Sequence, residues 1–382
     1  MPDYDVLIVG GGPVGAAAAL ALRGAGIEVG LVEVRGPQAA SADPRPIALS
    51  YGSRLILERL GLWEDLQPAT PIERIHVSQR GGFGRVELDA REAHLPALGY
   101  VVDYGRLAVT LAHVLEADAG CRLIRAQVRA LEAGPEVAVA SFGGKVGPEQ
   151  ATARLLAVAD GGALAATPAR THDYRQSVVT TRVACGVPHR NVAYERFTPQ
   201  GPLALLPMGE MLALVWTTTP EYAQQLCELP EAAFLERLQD AFGTRLGAFS
   251  RAGARACYPV VLKVAHRIAE SRIVALGNAA QTLHPVAGQG LNVGLRDAWE
   301  LAATVRACER HEIGAPAHLG GYRARRRLDR GGGIAFTDGL VRLFSNDIAA
   351  LRLARGLGLA ALGAVAPAKD FVIRRMTFGT RG

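Results

Sequence analysis

A mixed α/β architecture is what the sequence predicts: a parallel-sheet domain interleaved with a second, β-sheet domain, and a helical C-terminal region. Three observations carry this. A short apolar run at residues 6–9 is followed by the glycine cluster Gly10-Gly11-Gly12-Pro13-Val14-Gly15 and an alanine-rich stretch, the pattern of a buried strand, a tight turn and a helix. After residue 171 the texture changes to short β-rich runs separated by turn signals. Near residue 272 a buried apolar run and a second glycine-rich turn return, as though the chain re-enters its first domain.

In order, residues 13–26 read as a helix ended by Gly24 and Gly26, and residues 27–34 as a second strand closing on Glu33. Strand, helix and strand with short connections imply parallel pairing and a right-handed crossover. Residues 177–187, 191–197, 203–207 and 211–218 read as an antiparallel meander. A helix is expected from Pro230, with Phe234, Leu235, Leu238 and Phe242 on one face, and another from about Leu291. Gly143-Gly144 lies inside an expected hairpin. The expected domains are 1–75, 101–170 and 262–330 for the first, 76–100 and 171–261 for the second, and 331–382 for the helical region.

The 382 residues (40.3 kDa) exceed one core of ordinary size, so two or three domains are expected at about 100–200 residues each. At 49% hydrophobic and 20% charged the chain excludes disorder. Forty-two Lys and Arg against 36 Asp and Glu give +6, too mild and dispersed to point to nucleic acid. Cys121, Cys185, Cys227, Cys257 and Cys308 form no CxxC pair, which argues against a disulfide framework or a thiolate zinc site and fits a cytoplasmic location. His172, His189 and His266 have no ligand spacing, so no metal is expected. Residues 6–22 lack charge over nearly a membrane span, but the glycines and Pro13 break the run.

The first glycine cluster satisfies GxGxxG in its proper setting. Gly10 serves the turn, Gly12 admits a pyrophosphate to the backbone, and Gly15 permits close helix–strand packing. The helix N-terminus, with Pro13 at its start, offers unpaired N–H groups to phosphates. Glu33, 18 residues past Gly15, is placed to accept ribose hydroxyls, and Arg35 lies beside it. The motif serves FAD and NAD(P) alike.

The second cluster runs Gly277-Asn278, then His284-Pro285, then Gly288-Gln289-Gly290-Leu291-Asn292-Val293-Gly294-Leu295-Arg296-Asp297. Its helix start points N–H groups at an electron-rich carbonyl or anion in front of it. At these residues the chain resembles the single-component FAD-dependent aromatic hydroxylases, closest to their ubiquinone-biosynthesis branch, the 2-polyprenyl-6-methoxyphenol hydroxylases. In that family an aspartate follows the glycine and contacts the ribityl chain; here it is Asn278, which still accepts and donates. The segment Asp43-Pro44-Arg45-Pro46 resembles the family's arginine-centred loop, and Asp160-Gly161 its DG motif, whose usual following Ser and Arg are replaced by Ala163 to Ala166. Stretches around Tyr174, Tyr194-Glu195-Arg196-Phe197 and Leu205-Leu206-Pro207 agree with the same branch, and the similarity extends from about residue 4 to about 345.

The resemblance implies a Rossmann-like FAD-binding domain of the aromatic-hydroxylase type. It also implies a monooxygenase that uses NAD(P)H and O2 and hydroxylates a lipophilic polyprenyl phenol through a flavin hydroperoxide. Gly10, Gly12, Pro13, Gly15, Glu33, Arg35, Arg45, Arg106, Asp160, Gly277, Asn278, Pro285, Gly288, Gly290, Leu291 and Asn292 are then expected at the cofactor. Arg45, His284 and Pro285 are expected at the reacting ring. His284 reads equally as a loop histidine, Arg106 as a solvated helix arginine, and Asp160 as part of an ordinary turn. Glu195 and Arg196 are both cavity candidates, but neighbours on a strand face opposite ways, so only one can be. No residue stands out as the substrate's proton acceptor. The arginine-rich stretch 323–330 and the apolar tail read either as helices packed on their own domain or as a surface for an anionic membrane face or another ubiquinone-biosynthesis protein. A flavin reductase or dehydrogenase on the same scaffold, or a non-catalytic flavin-binding subunit of a biosynthetic complex, are the competing readings.

Overall fold

Tyr4–Val9 is buried along its whole length, as befits a strand with neighbours on both edges and helices over its faces. In the computed structural model, which describes residues 1–36, 43, 45–143, 149–164, 168–270, 272–346 and 348–381, it is a central strand of the first sheet. Its parallel neighbours are Val29–Val32 and Gln150–Val158; beyond them Cys121–Ile124 and Ile273–Ala275 extend the parallel sheet. The strand order reverses at Tyr4–Val9, and ligands of such sheets sit at that switch point, beyond the carboxyl ends of the strands. The helices Pro13–Ala21 and Gln289–Arg306 pack together over one face, with Val6, Ile8, Leu155, Leu295 and Leu301 in the shared core. Of the residues expected to matter, Pro44, Gly144, Ala165, Ala166 and the terminal Gly382 lie outside the described set.

Among the described residues the second sheet has nine strands. Val192–Thr198, Gly201–Met208 and Met211–Thr218 follow one another as a meander. The long strand Ala169–Cys185, however, pairs with Met211–Thr218 and Ala256–Ala265 and not with Val192–Thr198. This corrects the simple four-strand meander. The edge vacated on Val192–Thr198 is taken by Arg74–Gln79, in parallel, from far back in the sequence. Phe234, Leu238 and Phe242 of Glu231–Phe242 face a core built on this sheet with Leu203, Leu205 and Trp216. The helix Pro220–Glu228 was not anticipated; Thr219 accepts a hydrogen bond from Tyr222 N at its start and Pro220 opens it, an N-cap and N1 signal that was there to be read. A small third sheet joins Pro46–Ser50, Gly99–Asp103 and Thr70–Ile72.

The boundary expected at 330/331 falls within a single helix, Pro316–Phe344. Its first half packs on the parallel-sheet domain through Leu319 and Tyr322, and its second half joins Val86, Leu88 and Phe197 of the second domain through Val341 and Phe344. Helices Ala349–Ala364 and Ala366–Phe378 complete that cluster with Leu359 and Ile373. Arg355 is buried and donates to the carbonyls of Leu343, Phe344 and Asn346, capping the long helix where its last carbonyls lack partners.

Part of the arginine-rich stretch is turned inward. Arg326 reaches Asp297 and Asp329, and Arg330 donates to Gln281 Oε1 and to the carbonyls of Ala265 and Ala280. These two serve their own domain, whereas Arg323 and Arg327 are exposed.

Candidate active site

At the mouth of the first sheet the glycine turn has the shape its sequence implies. Gly10 sits at φ +105°, and a Cβ there would fall 2.6 Å from the Ala159 carbonyl oxygen. A Cβ on Gly15 would fall 1.9 Å from the Gly10 carbonyl oxygen, so helix and strand meet at a distance only glycine allows. A Cβ on Gly12 or Gly290 would meet nothing within 4 Å. Both glycines border one cavity of about 1010 Å³. Two helix starts, at Pro13 and Gln289, therefore present bare backbone to this space, as a dinucleotide and its ring system require.

Glu33 closes the adenosine end. Its Oε2 accepts the Gly11 N–H at 2.8 Å and its Oε1 the Arg35 N–H at 2.8 Å. Arg35 Nε also approaches Oε1, at 3.5 Å; of the roughly four acceptor positions of a carboxylate, the free one on Oε2 is left for a ribose hydroxyl. Asp160 lies beside the turn, its two oxygens accepting from Gly162 N at 2.8 Å and Leu164 N at 2.6 Å. It both borders the cavity and holds the turn that packs on Gly10. Pro13, Arg35, Gly277, Asn278, Pro285, Gly288 and Leu291 border the same space. The residues present therefore fit FAD.

Arg45 also lines the cavity. Its guanidinium grips Asp43 through Nη2 at 2.6 Å and lies over the rings of Tyr104 and Tyr258, 5.1 and 5.5 Å from their centroids. Burial would raise the Asp43 carboxyl, but Arg45 outweighs it and holds the group below the ordinary carboxylate range. The two tyrosines were missed in the sequence because nothing local marks them; they meet at Arg45 only in the fold.

Gly15 serves the helix–strand contact and does not border the cavity, and three further expected site residues stand elsewhere. His284 is fully buried; Nδ1 accepts the Val286 N–H at 3.1 Å and Nε2 lies 3.3 Å from Gln176 Oε1. Burial pushes its pKa down to about 4, so the ring is neutral, and with Nδ1 accepting, Nε2–H donates. It holds the turn carrying Pro285 and faces away from the cavity, which corrects its catalytic assignment. Arg106 donates to the Gln67 carbonyl; two residues after Tyr104 on one helix, it cannot share that ring's direction. Asn292 spends both ends of its amide inside the protein, accepting from Ser50 N and Ser53 Oγ and donating to the carbonyls of Ala48 and Gly288. It fastens the Pro46–Ser50 strand to the helix start.

Beneath the Gly277 turn lies a buried charge network. Asp297 accepts from Gly277 N at 3.1 Å, Gln281 Nε2 at 2.8 Å and Arg326 at 2.6 Å, and Asp329 is held by Arg326 at 2.6 Å and Arg296 at 2.9 Å. Burial alone would raise Asp329, but Arg296 and Arg326 hold it below its ordinary value.

The far end of the cavity is apolar. Its walls are Ile75, Val77, Leu206 and Phe197 of the second sheet and Leu340, Phe344, Leu359 and Met376 of the C-terminal helices. Glu195 projects into it. Arg196, its neighbour, turns the other way and donates to the Ala241 carbonyl at 3.1 Å, so the choice between the two is decided for Glu195. Among the described residues no cluster of three or more His, Cys, Asp or Glu side chains could hold a metal.

A family model described as "FAD binding domain" matches residues 3–330. The chain is 37% identical to a ubiquinone hydroxylase of Rhodospirillum rubrum, over 97% of this chain and 88% of that one. It is 32% identical to the 3-demethoxyubiquinol 3-hydroxylase of Escherichia coli, over 94% of each. Its fold is similar to that of p-nitrophenol 4-monooxygenase from Pseudomonas putida, with a TM-score of 0.77, 18% identity and coverage of 99% of this chain and 98% of that one.

Proposed function

We propose a specific reaction for this chain, which belongs to the FAD-binding-domain family and is an FAD-dependent monooxygenase: hydroxylation of a polyprenyl phenol, 2-polyprenyl-6-methoxyphenol, in ubiquinone biosynthesis. The observation that carries it is the single cavity. One end is a backbone cradle for a dinucleotide and the other is an apolar chamber, so ring and cofactor share one continuous space. The relatives named as hydroxylases of ubiquinone and of 3-demethoxyubiquinol support the substrate class.

When bound, FAD supplies reduction by NAD(P)H and activation of O2 into an electrophilic oxygen donor. The chain's own part is to bind, orient and keep dry. Gly10, Gly12 and Pro13 offer backbone to the pyrophosphate and Glu33 receives the ribose. Pro285, Gly288 and Gly290 shape the space at the ring, and the helix start at Gln289 turns N–H groups toward it. Arg45, fixed by Asp43 and by two tyrosines, places a guanidinium on the cavity wall. The Phe344, Leu359 and Met376 wall excludes water, which otherwise diverts activated oxygen to hydrogen peroxide.

The purified protein is expected to show a flavin spectrum. A short-chain 2-prenyl-6-methoxyphenol is expected to stimulate NADPH oxidation and give a hydroxylated product only with O2. Bound flavin with no stimulation by any such phenol would overturn the substrate reading.

We also propose a cytoplasmic enzyme that touches the membrane face peripherally, where a polyprenyl substrate partitions. Among the described residues no single helix is long and apolar enough to cross a membrane. Ala349–Ala364, however, turns Leu359 and Leu362 to the cavity and Leu353 and Leu357 outward, with Val365 and Phe371 exposed beyond it. Arg374 stands on the neighbouring helix, suited to anionic headgroups. Flotation with liposomes containing anionic lipid is expected to carry the protein, and L353E/L357E to release it; no flotation with any lipid would sink the idea.

A further inference from the structure

Glu195 lies on Val192–Thr198, an interior strand flanked by Gly201–Met208 and Arg74–Gln79. Its directly opposed residues are Ala204 and Val77, both of which line the cavity, so the register sends all three side chains to one face. Around it the wall is hydrocarbon: Phe197 stacks on Phe344 at 4.0 Å, and Val77 packs in the same cluster with Leu340, Leu359 and Met376. No hydrogen bond or ion pair reaches the Glu195 carboxylate among the described residues. A desolvated carboxylate without a partner is costly and is one of the mechanisms behind large losses of stability. Every other carboxylate bordering the cavity, Glu33 and Asp160, is satisfied by backbone N–H groups at the cofactor end. What would satisfy Glu195 is a donor brought by the ligand.

Resting on the phenol reading above, we propose that Glu195 receives the ring hydroxyl of the substrate, fixing the ring in the cavity and holding the hydroxyl proton during oxygen transfer. An ionised carboxylate only accepts, and a phenol hydroxyl is the donor that such a ring carries. As the ring gives an electron pair to the incoming oxygen atom, the hydroxyl proton passes to Glu195 and the ring oxygen becomes a carbonyl. Loss of the proton from the attacked carbon, which neutralises the oxyanion left on the oxygen donor, and return of the proton from Glu195 to the ring oxygen restore the aromatic ring. The net change is one C–H converted to C–OH, with the oxygen supplied by the monooxygenase chemistry.

Burial, with no cation beside it, pushes the Glu195 carboxyl up from 4.5 to about 7, where proton exchange works at neutral pH. The elements packed against it bring no competing charge. Ala204 and Val77 face it from the two strands, and the C-terminal helices contribute apolar side chains. Tyr194 turns to His76 and Phe242, and Arg196 to Ala241. Arg35, Arg45, Tyr104 and Tyr258 group with Glu33, Asp43 and Asp160 at the cofactor end.

The test uses flavin-loaded wild type, E195Q and E195L. Binding of a short-chain 2-prenyl-6-methoxyphenol and of its methyl ether is read from the flavin spectrum, and product formation is followed against pH. Wild type is expected to prefer the phenol over the ether by about 10- to 100-fold, the worth of one charge-assisted hydrogen bond. E195L is expected to lose that preference. E195Q, whose amide oxygen still accepts, is expected to keep the preference but to lose the pH dependence of product formation near pH 7. An E195L protein with normal flavin and an unchanged preference, or an E195Q protein with the wild-type pH profile, would overturn the proposal while leaving the phenol reading intact. A wild type that neither binds nor hydroxylates such phenols would overturn both.

Discussion

A buried charge network beneath the Gly277 turn and a lone carboxylate in the apolar chamber are built on opposite principles. Under the Gly277 turn, Asp297, Arg326, Asp329 and Arg296 interlock, with Asp297 also taking N–H donors from Gly277 and Gln281. In the apolar chamber Glu195 has burial and no partner. Burial alone therefore says little about a carboxylate. Where the partners are internal the charge is part of the scaffold, and where none is present the group is left for a ligand. The two sites also answer pH in opposite senses, which makes the contrast measurable.

The largest expected effect comes from breaking the saturated network. R326M leaves Asp297 without its ion-pair partner and Asp329 with Arg296 alone, and a loss of about 3–5 kcal/mol is expected, the usual cost of removing one partner of a buried pair. Denaturant melts of the flavin-loaded protein check this; a loss below about 1 kcal/mol, the level of an exposed pair, would mean the network is no scaffold.

Next in size is the pH slope. Between pH 4.5 and about 7 the folded Glu195 keeps its proton while the unfolded one has lost it, so stability falls as pH rises through that window and levels off above it. At about 1.4 kcal/mol per pKa unit the fall is at most about 3.5 kcal/mol, and E195Q is expected to abolish it. Asp329 runs the other way: its depressed carboxyl contributes stability above 3.8 that is lost as pH falls through its folded value. Paired melts of wild type and E195Q across pH 4.5–8 decide the first part; identical curves would remove Glu195 from the comparison.

A smaller effect sharpens the cofactor end, where open space takes the place of unpaired charge. Gly12 has φ −65° and ψ 175°, which alanine adopts without strain, and its Cβ would meet no protein atom. G12A is expected to fold normally and to weaken FAD about 10-fold, near 1.4 kcal/mol, by filling the cradle. Flavin titration of the stripped protein measures it, and an unchanged affinity would place the pyrophosphate elsewhere. The smallest effect belongs to exposed charge. Arg374 pairs with Asp370 at 2.9 Å on a helix surface with both side chains close to half exposed, and R374A is expected to cost no more than about 0.5 kcal/mol in the same melts.

Local physics was enough to read the cofactor end from the sequence. Gly10, Gly12, Gly15 and Glu33 are a contiguous code, because a turn, a close approach and a strand-end carboxylate each restrict residue type at a fixed spacing. Most residues expected at the cofactor do border the cavity, through Asn278, Gly288 and Gly290 in the second cluster. The sequence could also say that only one of Glu195 and Arg196 faces inward, since strand side chains alternate.

Which one does was settled by tertiary structure alone. Alternation has two phases, and the phase is set by pairing with Arg74–Gln79, about 120 residues earlier in the chain. His284, Arg106 and Asn292 were misread for the same reason, because their partners Gln176, Gln67 and Ser50 are distant in sequence. The inward turn of Arg326, and the closing of the substrate chamber by helices after residue 316, likewise rest on contacts between segments whose residue types carry no local signature. Conformational requirements are written residue by residue, whereas burial and partnership belong to the assembled fold.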